Sequence, residues 1–175
     1  MTNEFLLASF SKVNIFLQPY VAKYLATNSF VLKQKMGFNL PELPSDVVYL
    51  NGKSNFGRLV IDRFEYGFKD VSAFGRLTER LTVWICDKYR PNADSRYSFL
   101  VITKNGCTIL NDLIKEYMMV QLHSKVLQES TKGVLERDSI IEFLRFFEIE
   151  EDVYSFESCK KAYYRWKKNG HLIDC

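Results

Sequence analysis

The chain has 175 residues, 47% hydrophobic and 15% aromatic, which is enough apolar material for one sizeable core or for a core with a small terminal module. Its 24 basic and 21 acidic residues leave a net charge of only +3, so a charge-driven disordered chain is excluded and any polyanion-binding surface must arise from local clustering. Apolar positions near the N-terminus are interrupted by polar ones and no small-residue cleavage pattern follows, so neither a signal peptide nor a membrane span is expected. The four cysteines, Cys86, Cys107, Cys159 and Cys175, are widely spaced and too few for a disulfide framework. Reduced thiols and a cytoplasmic location are expected.

From Asn3 to Leu25 the residues Leu6, Phe10, Val13, Leu17, Tyr20, Val21 and Tyr24 recur at helical spacing, and Pro19 demands a break near Gln18. Two short helices are expected there, inside an N-terminal helical segment over 1–36. Pro41 and Pro44 then mark a connector. A central core over 45–129 follows. In it, Val47-Val48-Tyr49-Leu50 and Leu59-Val60-Ile61, separated by Asn51-Gly52, predict two short strands, although Phe56, Leu59, Val60 and Phe64 also fit one helical face. Asp70 is placed to cap a helix with Val71, Phe74, Leu77, Leu81, Trp84 and Ile85 on its apolar face, stopping before Pro91. Tyr97 to Thr103 reads as a strand ending at Asn105-Gly106, and Thr108 to Gln128 as the longest helix, apolar over a broad face. The tetrapeptide Phe-Gly-Arg-Leu occurs at 56–59 and at 74–77, but the flanking residues differ and no repeat architecture follows.

After a loop at Gln128 to Gly133, a small C-terminal unit over 134–175 has the outline of a helix-turn-helix. Asp138 to Phe147 reads as an amphipathic helix burying Ile140, Ile141, Phe143, Leu144 and Phe147. An acidic connector, Glu148 to Asp152, leads to a second helix from Ser155 to Asn169, closed by Asn169-Gly170. Cys159, Ala162, Tyr163 and Trp166 fall on one side of that helix; Lys160, Lys161, Arg165, Lys167 and Lys168 face away together with Tyr164. From Ser155 to Cys175 the local charge is +3, equal to the excess of the whole chain. The fold class expected is α+β, predominantly helical, with a small central β element and a C-terminal helix-turn-helix-like unit.

A basic helix face suits DNA because each Lys or Arg near a phosphate releases counterions, and an Arg can also read guanine O6 and N7. The expected nucleic-acid-binding residues are therefore Lys160, Lys161, Tyr164, Arg165, Lys167 and Lys168, with Arg165 the one candidate for base readout. A blander account exists, since lysines in a last helical turn complement the macrodipole. The connector also exceeds the three- or four-residue turn of a regular helix-turn-helix, and its acids would repel phosphate unless they sit at the positive end of the second helix. The other expectation is a structural or adaptor role in which the aromatic and basic helix docks onto a protein partner or another copy. His171, Cys175 and Cys159 have no Cys-x-x-Cys pair beside them, so no metal is expected. His123 reads as a half-buried, hydrogen-bonded histidine. No nucleophile elbow, phosphate-cradling loop or two-metal carboxylate spacing appears, so neither catalysis nor a cofactor is expected.

Overall fold

A computed structural model describes residues 10–35, 47–50, 55–67, 72–86 and 99–169. It is a mixed α+β fold in which helix predominates. The elements are β1 (Phe10–Leu17), α1 (Pro19–Lys35), β2 (Val47–Leu50), α2 (Asn55–Ile61), β3 (Glu65–Gly67), β4 (Glu79–Cys86), β5 (Phe99–Val101), α3 (Lys104–Ser130), α4 (Glu136–Phe146) and α5 (Phe156–Lys168). The chain divides into two compact units, Met1–Asp112 and Leu113–Cys175, and the division falls inside α3. Among the described residues no helix is long and apolar enough to cross a membrane.

The first unit is built on a three-stranded sheet ordered β1-β4-β2, with β4 antiparallel to β1 and parallel to β2. This corrects two expectations, the helix before Pro19 and the helix after Asp70. In β1, Val13, Ile15 and Leu17 are buried, whereas Lys12 is exposed and Asn14 and Phe16 are half-buried. That alternation is the period of a strand with one covered face. Val13 lies opposite Val83, Ile15 opposite Leu81, and Val48 approaches Val83 from the other side, so a buried valine row crosses the sheet. On the other face the Thr82 hydroxyl donates to the Asn14 side-chain oxygen at 3.2 Å, and Lys12 Nζ lies 4.9 Å from the centre of the Trp84 ring. The helical spacing of Leu77, Leu81 and Trp84 yields to Thr82, Val83 and Ile85, β-branched residues on a strand paired on both edges.

Pro19 does not separate two helices; it is the first residue of one, where its missing N–H is no loss. Helix α1 buries Tyr20, Val21, Ala22, Tyr24 and Leu25 and packs on β2 and β4. The junction at Gln18 is tied to α3 through the buried Asn111. Its side-chain oxygen accepts the Gln18 backbone N–H at 3.0 Å, and its amide donates to Gln18 Oε1 at 3.4 Å. Residues Leu59 to Ile61 belong to α2 and not to a second strand, so the stretch is helical as the alternative has it, but the face differs: Val60 and Ile61 are buried, Leu59 is exposed, and the buried Phe64 lies beyond the helix. The expected strand within Tyr97–Thr103 is β5, paired antiparallel with β3. Residues 1–9, the Asn51-Gly52 dipeptide and Asp70 lie outside the described residues.

Asn105 and Gly106 open α3 and do not end a strand. Thr103 caps the helix, its hydroxyl accepting the Gly106 N–H at 3.1 Å. A Cβ on Gly106 would stand 2.8 Å from Ile102 Cγ1 and 3.4 Å from the Arg63 carbonyl oxygen. Overpacking of this kind costs roughly 1–3 kcal/mol, while Ala in place of helical Gly gains at most about 1 kcal/mol. Gly106→Ala should therefore destabilise the protein by up to about 2 kcal/mol, measured as a lower urea midpoint; a higher midpoint would mean that Ile102 yields without strain.

Candidate nucleic-acid interface

The second unit contains the later part of α3, α4 and α5. Its core is Ile114, Met118, Met119, Leu122 and Val126 from α3, Ile140, Phe143 and Leu144 from α4, and Cys159, Tyr163 and Trp166 from α5. Lys125 ties α3 to α4, pairing with Glu129 on its own helix and with Glu142 at 3.3 Å. The Lys125 ammonium and the Ser139 hydroxyl hold the Glu129 carboxyl below the usual carboxylate range. Helix α4 ends in a Schellman arrangement. The Ile149 N–H bonds the Leu144 carbonyl at 2.9 Å, the Glu148 N–H bonds that of Arg145 at 3.0 Å, and Glu148 itself takes φ 53°, a position that favours glycine. Buried Ile149 then leads into the acidic connector.

Two side chains finish the start of α5. Ser155 is the N-cap, its hydroxyl accepting the Ser158 N–H at 3.2 Å. The Glu151 carboxylate accepts the Phe156 N–H with its two oxygens at 3.1 and 3.2 Å. One connector acid thus occupies the positive end of the helix, where a carboxylate is stabilising.

The buried side of α5 is the expected one. The Tyr163 hydroxyl lies 2.9 Å from His123 Nδ1, and the Trp166 indole N–H donates to Glu116 Oε2 at 2.8 Å. The His123 ring centre is 6.0 Å from that of Tyr163 and 5.5 Å from that of Trp166. His123 is therefore the half-buried, hydrogen-bonded histidine that the sequence suggests. Burial pushes the Cys159 thiol from 9.0 up to about 12. Burial first, and then the Glu136 charge, pushes the Tyr163 phenol from 10.0 up to about 12. A thiol held protonated in this way is neither a ready nucleophile nor a ready metal ligand. Among the described residues no group of three or more His, Cys, Asp or Glu is arranged to hold a metal ion, and His171 and Cys175 lie outside them.

The six residues expected to bind nucleic acid divide into two sets. Lys161, Tyr164, Arg165 and Lys168 are exposed. At about 100° per residue they form one stripe on the side away from Cys159, Tyr163 and Trp166. Lys160 and Lys167 sit on the flank. Lys160 Nζ is 3.8 Å from Glu157 and 5.6 Å from the Phe156 ring centre, and Lys167 Nζ is 3.8 Å from Glu136 and 5.9 Å from the Tyr163 ring. Among the described residues Lys161, Arg165 and Lys168 form no ion pair. The nearby Glu136 carboxylate raises the pKa of the Tyr164 phenol. Sequence reasoning missed Arg137, whose guanidinium lies 5.9 Å from the Phe156 ring that Lys160 also approaches. No local pattern could have found it, because α4 brings it there.

No protein-family model, curated protein or solved structure matches this chain. What this surface does has to follow from its own charges and rings.

The buried acids of α5 set an alkaline limit. Folded Cys159 and Tyr163 keep their protons up to about 12, whereas the unfolded groups lose theirs near 9.0 and 10.0, so the folded state binds more protons across that window. Stability then falls as pH rises through it, by up to about 1.4 kcal/mol per pH unit for each group. Urea unfolding followed by circular dichroism should show midpoints that drop above about pH 9, less steeply in a variant combining Cys159→Ala and Tyr163→Phe. Equal slopes in the two proteins would place the effect elsewhere.

Proposed function

We propose that this chain is a non-catalytic, cytoplasmic DNA-binding protein of regulatory or accessory character, which holds phosphates on the exposed stripe of α5 with little regard to sequence. The observation that carries this is the set of three cations, Lys161, Arg165 and Lys168, exposed on one helix face with no carboxylate partner among the described residues. Cations that are not already neutralised within the protein gain the full counterion release on meeting a phosphate. Lys160 and Lys167, each shared with a carboxylate, contribute less. Arg165 is the one side chain on the stripe with the paired donors that match guanine O6 and N7.

A second reading is favoured by apolar side chains elsewhere on the same unit. Leu135 is 68% exposed, Phe146 60% and Leu127 54%. Single exposed apolar residues are ordinary, but three on so small a unit suit a protein partner or another copy of the chain.

Titration of a labelled oligonucleotide at several salt concentrations separates these readings. Three phosphate contacts give a slope of log affinity against log salt of about −3 on duplex and about −2 on single strands. Changing Lys161, Arg165 and Lys168 together to Gln should abolish most of that slope, whereas changing Lys160 and Lys167 to Gln should remove little of it. Unaltered affinity in the triple variant, with its unfolding midpoint intact, would transfer the function to the apolar surface.

A further inference from the structure

The order of side chains along the stripe carries a conclusion about which form of nucleic acid it takes. From its N-terminal end the stripe reads Glu157, Lys161, Tyr164, Arg165, Lys168, so it begins with an acid that is 62% exposed and is basic only beyond the first turn. A helix that reads duplex in the major groove leads with its N-terminal residues. Here that end is closed. Glu151 already occupies the Phe156 N–H, and Glu148, Glu150 and Asp152 are exposed on the connector just before it. A phosphate ridge approaching this end of α5 meets these carboxylates as well as Arg137 and Lys160, whose cations lie 5.9 and 5.6 Å from the Phe156 ring. The exposed basic stretch runs from Lys161 in mid-helix to Lys168 at the end, and within it stands Tyr164, three residues after Lys161 and four before Lys168. Tyr164 is 46% exposed.

We infer that the ligand of this face is single-stranded nucleic acid, its backbone following Lys161, Arg165 and Lys168 while one base stacks on Tyr164; this rests on the nucleic-acid reading proposed above. An aromatic platform set among cations is the arrangement by which single strands are held without sequence preference, since every base offers a π-face. Bases in a duplex are stacked on one another and offer none. The dimensions agree. The helix rises about 10 Å from Lys161 to Lys168, and one strand advances about 3.4 Å per nucleotide, so the stripe covers about three nucleotides. A flexible strand can also leave the helix before it reaches Glu157, which a straight duplex resting on the same face cannot do.

The test is fluorescence anisotropy with the whole protein at fixed salt, using a labelled thymidine oligonucleotide and the same strand annealed to its complement. The single strand should bind at least about tenfold more tightly than the duplex, because the stacked base is available only there. Tyr164→Ala should weaken single-strand binding roughly five- to hundredfold, the range of one base–aromatic stack, while Tyr164→Phe, which keeps the ring, should stay within about threefold of wild type. Thermal melts of both variants establish that α5 remains folded. Duplex bound as tightly as single strand, or Tyr164→Ala binding single strand like wild type, would overturn the inference and leave the phosphate-binding role standing. Binding of neither oligonucleotide would overturn both.

Discussion

The setting of α5 about its own axis depends on two buried rings with polar tips. Tyr163 and Trp166 are the two large side chains that α5 buries, and each carries a donor that must not be left unmatched; an orphaned buried polar group costs about 1–3 kcal/mol. His123 and Glu116, both on α3, accept or share those two contacts at 2.9 and 2.8 Å. Turning α5 by a single residue, about 100°, would break both and drive lysines into the space that Cys159 and Tyr163 fill. The outward direction of Lys161, Tyr164, Arg165 and Lys168 is thus a consequence of a core hydrogen-bond pair. Their charges do not set it.

What the sequence makes legible in this fold follows from where its patterns are unambiguous. In α4 and α5 the apolar spacing of three and four residues largely coincides with burial, with Ile141 half-buried, whereas in α3 the broad face it suggests is narrower in the structure, where Ile109, Tyr117 and Leu127 are exposed. In β1 the same residues satisfy two periods at once. Leu17, Tyr20 and Tyr24 continue a helical spacing, while Val13, Ile15 and Leu17 alternate, and the choice is made by β4, paired from Phe10 opposite Cys86 to Leu17 opposite Glu79. No short window contains that partner. The two copies of Phe-Gly-Arg-Leu make the same point. At 56–59 the tetrapeptide lies in α2, and at 74–77 it closes a tight turn with Gly75 at φ 54° and Phe74 bridged to Leu77. Identical local propensity is overridden by different surroundings. The end of α4 is legible to within one residue, the expected last residue Phe147 being its C-cap, although the left-handed position after it holds Glu148 and not a glycine.

The candidate site was legible as a face but not as an electrostatic object. Helical spacing alone separates Lys161, Tyr164, Arg165 and Lys168 from the buried residues. It cannot show that Lys167 shares its charge with Glu136 from another helix, or that Arg137 joins Lys160 around Phe156. These contacts depend on how α4 crosses α5. They reduce five cations of apparently equal standing to three that are unshared among the described residues.

The macrodipole offers the competing account of a basic helix end, and the positions of the cations limit how far it reaches. Its benefit, about 0.3–1 kcal/mol for each charge, is confined to the first and last turns. At the start of α5, Glu151 and Glu157 collect it, and in the last turn Arg165, Lys167 and Lys168 do. Those residues therefore have a structural reason to be where they are, whatever else they bind. Lys161 has none. It lies mid-helix, exposed, outside the last turn and with no ion pair among the described residues, so neither the dipole nor a salt bridge accounts for it. It also lies one turn before Arg165 and two before Lys168, which places it where a third phosphate contact would fall. Of the cations on this face, Lys161 is the one whose position ordinary helix stability leaves unexplained and whose removal separates a binding surface from a merely well-capped helix.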